Sequence, residues 1–167
     1  MATKKRAKPA RKQRVTLGWR EWFELPELGV PYVKAKIDTG ARTSSLHAFD
    51  LRSFRRDGEP WVRFEVHPWQ RSRLDAVKVE APVVDERSVR PSTGRAQLRP
   101  VIVTDVTVAD QMFPIELTLT NRDLMGFRML VGRQALRRRF VVDPGRSYLG
   151  GEPSYRVKRR NDSEATS

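Results

Sequence analysis

The chain has 167 residues, of which 38% are hydrophobic, 8% aromatic and 32% charged, a composition that suits one domain with a packed core and charged tails. Its 33 Lys and Arg against 20 Asp and Glu give a formal net charge of +13, with no cysteine and only two histidines, His47 and His67. That excludes disulfides, thiolate zinc sites, cysteine nucleophiles and the H-E-x-x-H zinc-protease motif.

The charge is concentrated at the ends. Residues 1–14 carry seven basic side chains and no acid, and residues 156–167 carry four against two. Both segments lack apolar periodicity and are expected to be disordered tails around a domain at 15–155. They can serve as a ribosome or RNA contact through counterion release, or simply as solubilising tails. The basic start is followed by no apolar signal stretch, and no apolar run approaches the ~18 residues of a membrane span. The expectation is a cytoplasmic protein without membrane contact.

From Val15 onward short apolar runs alternate with turn residues. Residues 17–25 alternate loosely, and Pro26-Glu27-Leu28-Gly29 reads as a turn. Residues 32–37 alternate with period two, as a half-buried strand does. Further strands are expected at 44–49, at 61–66 ending before Pro68, and at 77–81 ending before Pro82. Pro91-Ser92-Thr93-Gly94 is a turn signal. Residues 101–108 and 112–120 read as strands joined around Ala109-Asp110-Gln111. Residues 129–131 form a short buried run, 134–139 one or two helical turns, and 140–142 a last strand before the turn Asp143-Pro144-Gly145. Seven to nine short strands with little helix predict an all-β sandwich or barrel.

The chemistry-bearing segment is Ile37-Asp38-Thr39-Gly40-Ala41, at the end of a clean strand and before Thr43-Ser44-Ser45. Taken alone, Asp-Thr-Gly also describes an ordinary Asx turn. Ninety-four residues after Asp38 come Gly132-Arg133, preceded by the apolar run Met129-Leu130-Val131. The two segments together resemble the retropepsin-like aspartic peptidases, in which a later apolar strand passes beside the catalytic loop and its glycine permits close backbone approach. Gly18-Trp19-Arg20-Glu21-Trp22, residues 34–47, residues 116–123, residues 125–133 and Val142-Asp143-Pro144-Gly145-Arg146 narrow the match. They resemble one bacterial family labelled ATP-dependent zinc protease, whose better-understood members are retropepsin-like and linked to the ligase that adds glutamates to a small-subunit ribosomal protein. The resemblance spans about residues 17–150.

This resemblance implies a retropepsin-like acid-protease barrel with one lobe per chain. One Asp-Thr-Gly supplies one carboxylate, and an aspartic peptidase needs two that share a proton, so a homodimer with Asp38 of each copy at the two-fold axis is expected. Thr39 is expected to bond across that axis and Gly40 to offer backbone to the substrate. Ala41 has no hydroxyl to donate to the carboxylate, unlike the Ser or Thr of pepsins, which fits cytosolic rather than acid conditions. Arg42 stands where retroviral enzymes commonly carry an acid; it is expected to bind substrate carboxylates, consistent with acidic or glutamylated peptide substrates. Gly132 and Arg133 are expected to support the loop, with Glu65, Asp123 or Asp143 as the acid partner of Arg133. A flap hairpin is expected at 86–95, with Arg90, Ser92, Thr93 and Gly94 facing substrate and Arg87 and Arg95 adding charge. Residues 52–82 are expected to contain an insertion, and Trp61 and Trp69 to pack at edges.

No cofactor and no metal are expected. Any zinc would have to use His47, His67 and a carboxylate such as Asp50, and the G-x-x-x-x-G-K-[ST] loop for ATP is absent. Two other readings stay open on the residues alone: a zinc-dependent hydrolase, and a non-catalytic retropepsin-like module associated with the ribosome.

Overall fold

Period-two alternation becomes strand almost everywhere it occurs, because a half-buried pleated surface needs one apolar side. The computed structural model describes residues 13–70, 72–90, 94–121, 124 and 126–153. In chain order the strands are β1 (Val15–Gly18), β2 (Arg20–Leu25), β3 (Val30–Ile37), β4 (Ser44–His47), β5 (Phe49–Arg56), β6 (Glu59–Val66), β7 (Val77–Pro82), β8 (Asp85–Val89), β9 (Gln97–Val108), β10 (Gln111–Thr120), β11 (Met129–Val131) and β12 (Phe140–Asp143). A single helical turn, α1 (Arg133–Leu136), lies between the last two.

Six strands close on themselves in the order β10-β4-β11-β3-β2-β9 and back to β10, with β8 added on the outside of β9. The expected all-β barrel is therefore present. Its interior is filled by Phe23, Val33, Ala35, Leu46, Ile102, Leu117, Met129 and Val131, all buried. Two of the barrel pairings are parallel, β3 with β11 and β4 with β10, and β1 with β12 forms a separate parallel pair. The tails at 1–12 and 154–167 lie outside the described residues.

The structure contains more strands than the seven to nine expected. The run at 17–25 breaks at Trp19 into β1 and β2, and the run at 44–49 breaks at Ala48, whose amide donates to the Thr120 carbonyl at 2.8 Å. β5 was not foreseen: it is rich in arginine and mostly exposed, so it shows no apolar alternation. It pairs with β6, and β6 with β7, as a three-stranded antiparallel sheet outside the barrel. This sheet accounts for most of 52–82.

Trp69 is buried rather than at an edge. Its Nε1 donates to Asp75 at 2.9 Å, and its ring meets Trp22 edge-on with centroids 6.0 Å apart.

Pro114 sits inside β10 without disrupting the barrel. β10 pairs with β9 over Gln111–Thr118, but with β4 only over Leu117–Thr120. The first half of β10 is therefore an edge, where a missing N–H costs no ladder bond. That half-open edge also leaves the space for a cleft described below.

Candidate active site

Inward-facing Val33, Ala35 and Ile37 hold β3 in the barrel and deliver Asp38 to its end. The Ile37 amide donates to the Trp19 carbonyl at 2.8 Å and the Asp38 amide to the Val131 carbonyl at 2.9 Å. Both neighbours of β3 thus fix where the aspartate leaves the sheet. Asp38 Oδ1 accepts from the amides of Gly40 at 3.0 Å and Ala41 at 3.2 Å. Among the described residues, Oδ2 accepts no hydrogen bond. One carboxylate oxygen is pinned by its own loop and the other is left for an external partner.

The returning segment 132–134 clasps this loop. The Gly132 amide donates to Ser44 Oγ at 3.0 Å, the Arg133 amide to the Ala41 carbonyl at 2.8 Å and the Gln134 amide to the Arg42 carbonyl at 3.1 Å. A Cβ at position 132 would stand 2.4 Å from the Thr43 carbonyl oxygen and 2.9 Å from that of Ala41. Glycine is there because two backbones touch.

Among the described residues, Arg133 pairs with no acid. Its Nη1 donates to the carbonyls of Thr39 at 3.1 Å and Gly40 at 2.9 Å. Of the three acids expected as partners, Glu65 meets His67 Nε2 at 3.2 Å, Asp143 Oδ1 accepts from the Gly145 amide at 2.9 Å, and Asp123 lies outside the described residues. The physical reason is that position 42 carries a cation rather than an acid. The guanidinium turns instead to the carbonyl oxygens that the loop's tight turn leaves exposed.

Thr39, Gly40 and Arg42 are exposed and Ala41 is half-buried. β8 and β9 form an antiparallel hairpin in the register Asp85↔Val101 to Val89↔Gln97. Arg90 and Gly94 lie at its tip, exposed, and no hydrogen bond or ion pair ties either of them to the Asp38 loop among the described residues. Ser92 and Thr93 lie outside those residues.

Two hollows flank the loop. One, about 480 Å³, opens along the half-paired edge of β10 and is lined by Arg42, Thr43, Ser44, Arg87, Glu116 and Gln134, among others. The other, about 340 Å³ and more apolar, is lined by Thr39, Arg133, Leu136, Phe140 and Val142, among others. Within the first, Arg87 Nη2 meets Glu116 Oε2 at 2.6 Å and Arg87 Nε meets Asp85 Oδ2 at 3.4 Å. The Glu116 hydrogen bond, more than the charges around it, raises the Arg87 pKa above its ordinary value. Sequence reasoning did not single out Ser44, Glu116 or Gln134. The small-polar run 43–45 was a signal for Ser44; Glu116 enters the site only through strand register.

The two histidines are not placed to share a metal. The Phe49 ring stands between them, stacked 4.1 Å from the His47 ring and 3.7 Å from the His67 ring. His47 Nδ1 faces Arg128 Nη1 at 3.3 Å, and His67 faces Glu65. These contacts give each ring a structural partner, so the donor set that the zinc reading needed does not fit.

A crystal structure of a Legionella pneumophila protein of unknown function is similar to this fold, with a TM-score of 0.69 and 26% identity, covering 83% of this chain and 99% of the other. Proteins named probable alpha-L-glutamate ligase are 48% identical in Shewanella pealeana, 47% in Desulfotalea psychrophila and 46% in Parasynechococcus marenigrum, over 81%, 83% and 84% of this chain. The chain spans only 30% of the length of each. Residues 16–153 match the family model described as RimB-like, retropepsin-like aspartic endopeptidase RimB. The barrel, the Asp38-Thr39-Gly40 loop and the Gly132-Arg133 clasp are those of a chain that belongs to the RimB-like, retropepsin-like family.

Proposed function

We propose that this protein is an aspartic peptidase that works as a two-fold homodimer and hydrolyses peptide bonds in acidic or glutamylated protein tails. The observation that carries the reading is the Asp38 carboxylate, with Oδ1 held by two loop amides and Oδ2 open. One lobe offers one such carboxylate. Two copies brought together at Asp38 complete a pair that shares one proton. The ionised partner takes a proton from water as the oxygen attacks the scissile carbonyl carbon. The protonated partner donates to the carbonyl oxygen, and collapse of the gem-diol returns a proton to the leaving amine. Thr39, exposed beside the axis, bonds to the other copy's loop. The β8–β9 hairpin covers the substrate, and Arg42 receives its carboxylates.

The relatives named glutamate ligase support the choice of substrate, since the segment they share with this chain sits in proteins whose name concerns glutamate addition. That same fact favours a second reading, a non-catalytic module that only holds the acidic tail. Incubation with a poly-glutamylated peptide, with and without chelator, decides between them. Under the first reading hydrolysis survives chelator and falls at least about a thousandfold in Asp38→Asn. Under the second, the peptide binds and is never cut. Loss of hydrolysis on chelation would return the zinc-dependent alternative.

A further inference from the structure

The cleft along the half-paired edge of β10 contains two arginines in different states. Arg87 is already engaged, held by Glu116 at 2.6 Å and by Asp85 at 3.4 Å. Arg42 has no acid partner among the described residues and is exposed. Both line the same hollow beside the Asp38 loop, together with the Glu116 carboxylate. A carboxylate bound on Arg42 would therefore lie in a space whose lining also holds the like charge of Glu116.

We propose that Glu116 is a specificity-determining residue of this cleft: it occupies Arg87 as an internal stand-in for a substrate carboxylate, so the cleft admits one acidic side chain on Arg42 and resists a second. The inference deepens the acidic-substrate reading above and rests on it. The charge arithmetic decides the direction. With Glu116 in place, Arg87 and Glu116 cancel and Arg42 alone attracts. Replacing Glu116 by the neutral, nearly isosteric glutamine removes the closer of the two acids on Arg87 and leaves Asp85 at 3.4 Å, outside the cleft lining, so the lining then presents Arg42 and Arg87 with one negative charge fewer to an acidic chain. Glu116 is exposed at the barrel surface, so the replacement leaves the core untouched.

The test measures binding by fluorescence anisotropy in an Asp38→Asn background, where turnover does not interfere. The probes are a poly-Glu peptide and a poly-Gln peptide of the same length. Glu116→Gln is expected to tighten poly-Glu binding about fivefold and to leave poly-Gln binding unchanged. Arg87→Gln, which leaves Glu116 uncompensated in the cleft, is expected to weaken poly-Glu binding by a similar factor, and Arg42→Gln to weaken it most. If poly-Glu binds and responds to Arg42→Gln but not to either change at the Arg87–Glu116 pair, the role of Glu116 is overturned while the substrate reading stands. If both probes shift equally, the pair acts on structure and the proposal fails. If poly-Glu binds no better than poly-Gln in any form of the protein, the substrate reading falls and takes the proposal with it.

Discussion

Gly132 and Glu21 show how much of this protein rests on single atoms. Any side chain at 132 meets the Thr43 and Ala41 carbonyls, and backbone on both sides cannot move aside as a flexible side chain can. Gly132→Ala is expected to destabilise by about 3 kcal/mol, read as a lower urea midpoint with an unchanged slope. Glu21, 0% exposed, accepts from the Leu149 amide at 2.9 Å and the Gly150 amide at 2.7 Å, anchoring the segment that follows β12 onto β2. Glu21→Gln turns one acceptor into a donor facing an N–H, at a cost of about 2 kcal/mol, measurable by thermal unfolding. Gly132 was legible in the sequence because a glycine after an apolar run has few reasons to be there. Glu21 was not, because the Leu149 and Gly150 amides it anchors lie more than a hundred residues away.

Strand-level features divide the same way. The β9–β10 turn, Ala109-Asp110, has both residues at positive φ, 49° and 59°, the type I′ geometry whose twist suits a two-residue hairpin. An L side chain is strained there, and glycine is preferred at the second position. Asp110→Gly is expected to stabilise by about 0.5 kcal/mol, seen as a small rise in Tm. Asp57-Gly58, at 51° and 80°, makes the equivalent turn between β5 and β6, and as an Asp-Gly pair it was a readable hairpin signal. The strand before it escaped notice because Arg52, Arg55 and Arg56 mask its pattern. The His47–Phe49–His67 stack helps tie that outer sheet to the barrel, beside the buried Val62, Phe64, Val66, Val79 and Ala81, which share one core with it. Phe49→Ala removes the ring from between the two imidazoles and is expected to cost about 3 kcal/mol, measured by denaturant unfolding. The two histidines, twenty residues apart in the chain, are brought by three-dimensional packing to opposite faces of one phenyl ring.

Each chain offers one Asp38 carboxylate held in an Asp-Thr-Gly loop, so the proposed chemistry belongs to a pair of chains. Mixing wild-type protein with increasing Asp38→Asn tests this directly. If each site takes one aspartate from each copy, mixed dimers are inactive, and activity is expected to fall as the square of the wild-type fraction, whereas a self-sufficient chain loses it linearly. Sedimentation velocity on the same mixtures checks that they contain dimers.

Residue order alone was sufficient for the all-β class, the positions of most strands, the aspartate loop and the glycine that meets it. These follow from period-two burial and from the few residue types that tolerate tight turns or close backbones, and both are properties of neighbours along the chain. Tertiary structure decided the parallel pairings that close the barrel, the carbonyl partners of Arg133, the Arg87–Glu116 pair in the cleft and the separation of the histidines. Each of those depends on which distant segments come to lie side by side, and no local pattern encodes the partner of a strand edge or of a long charged side chain.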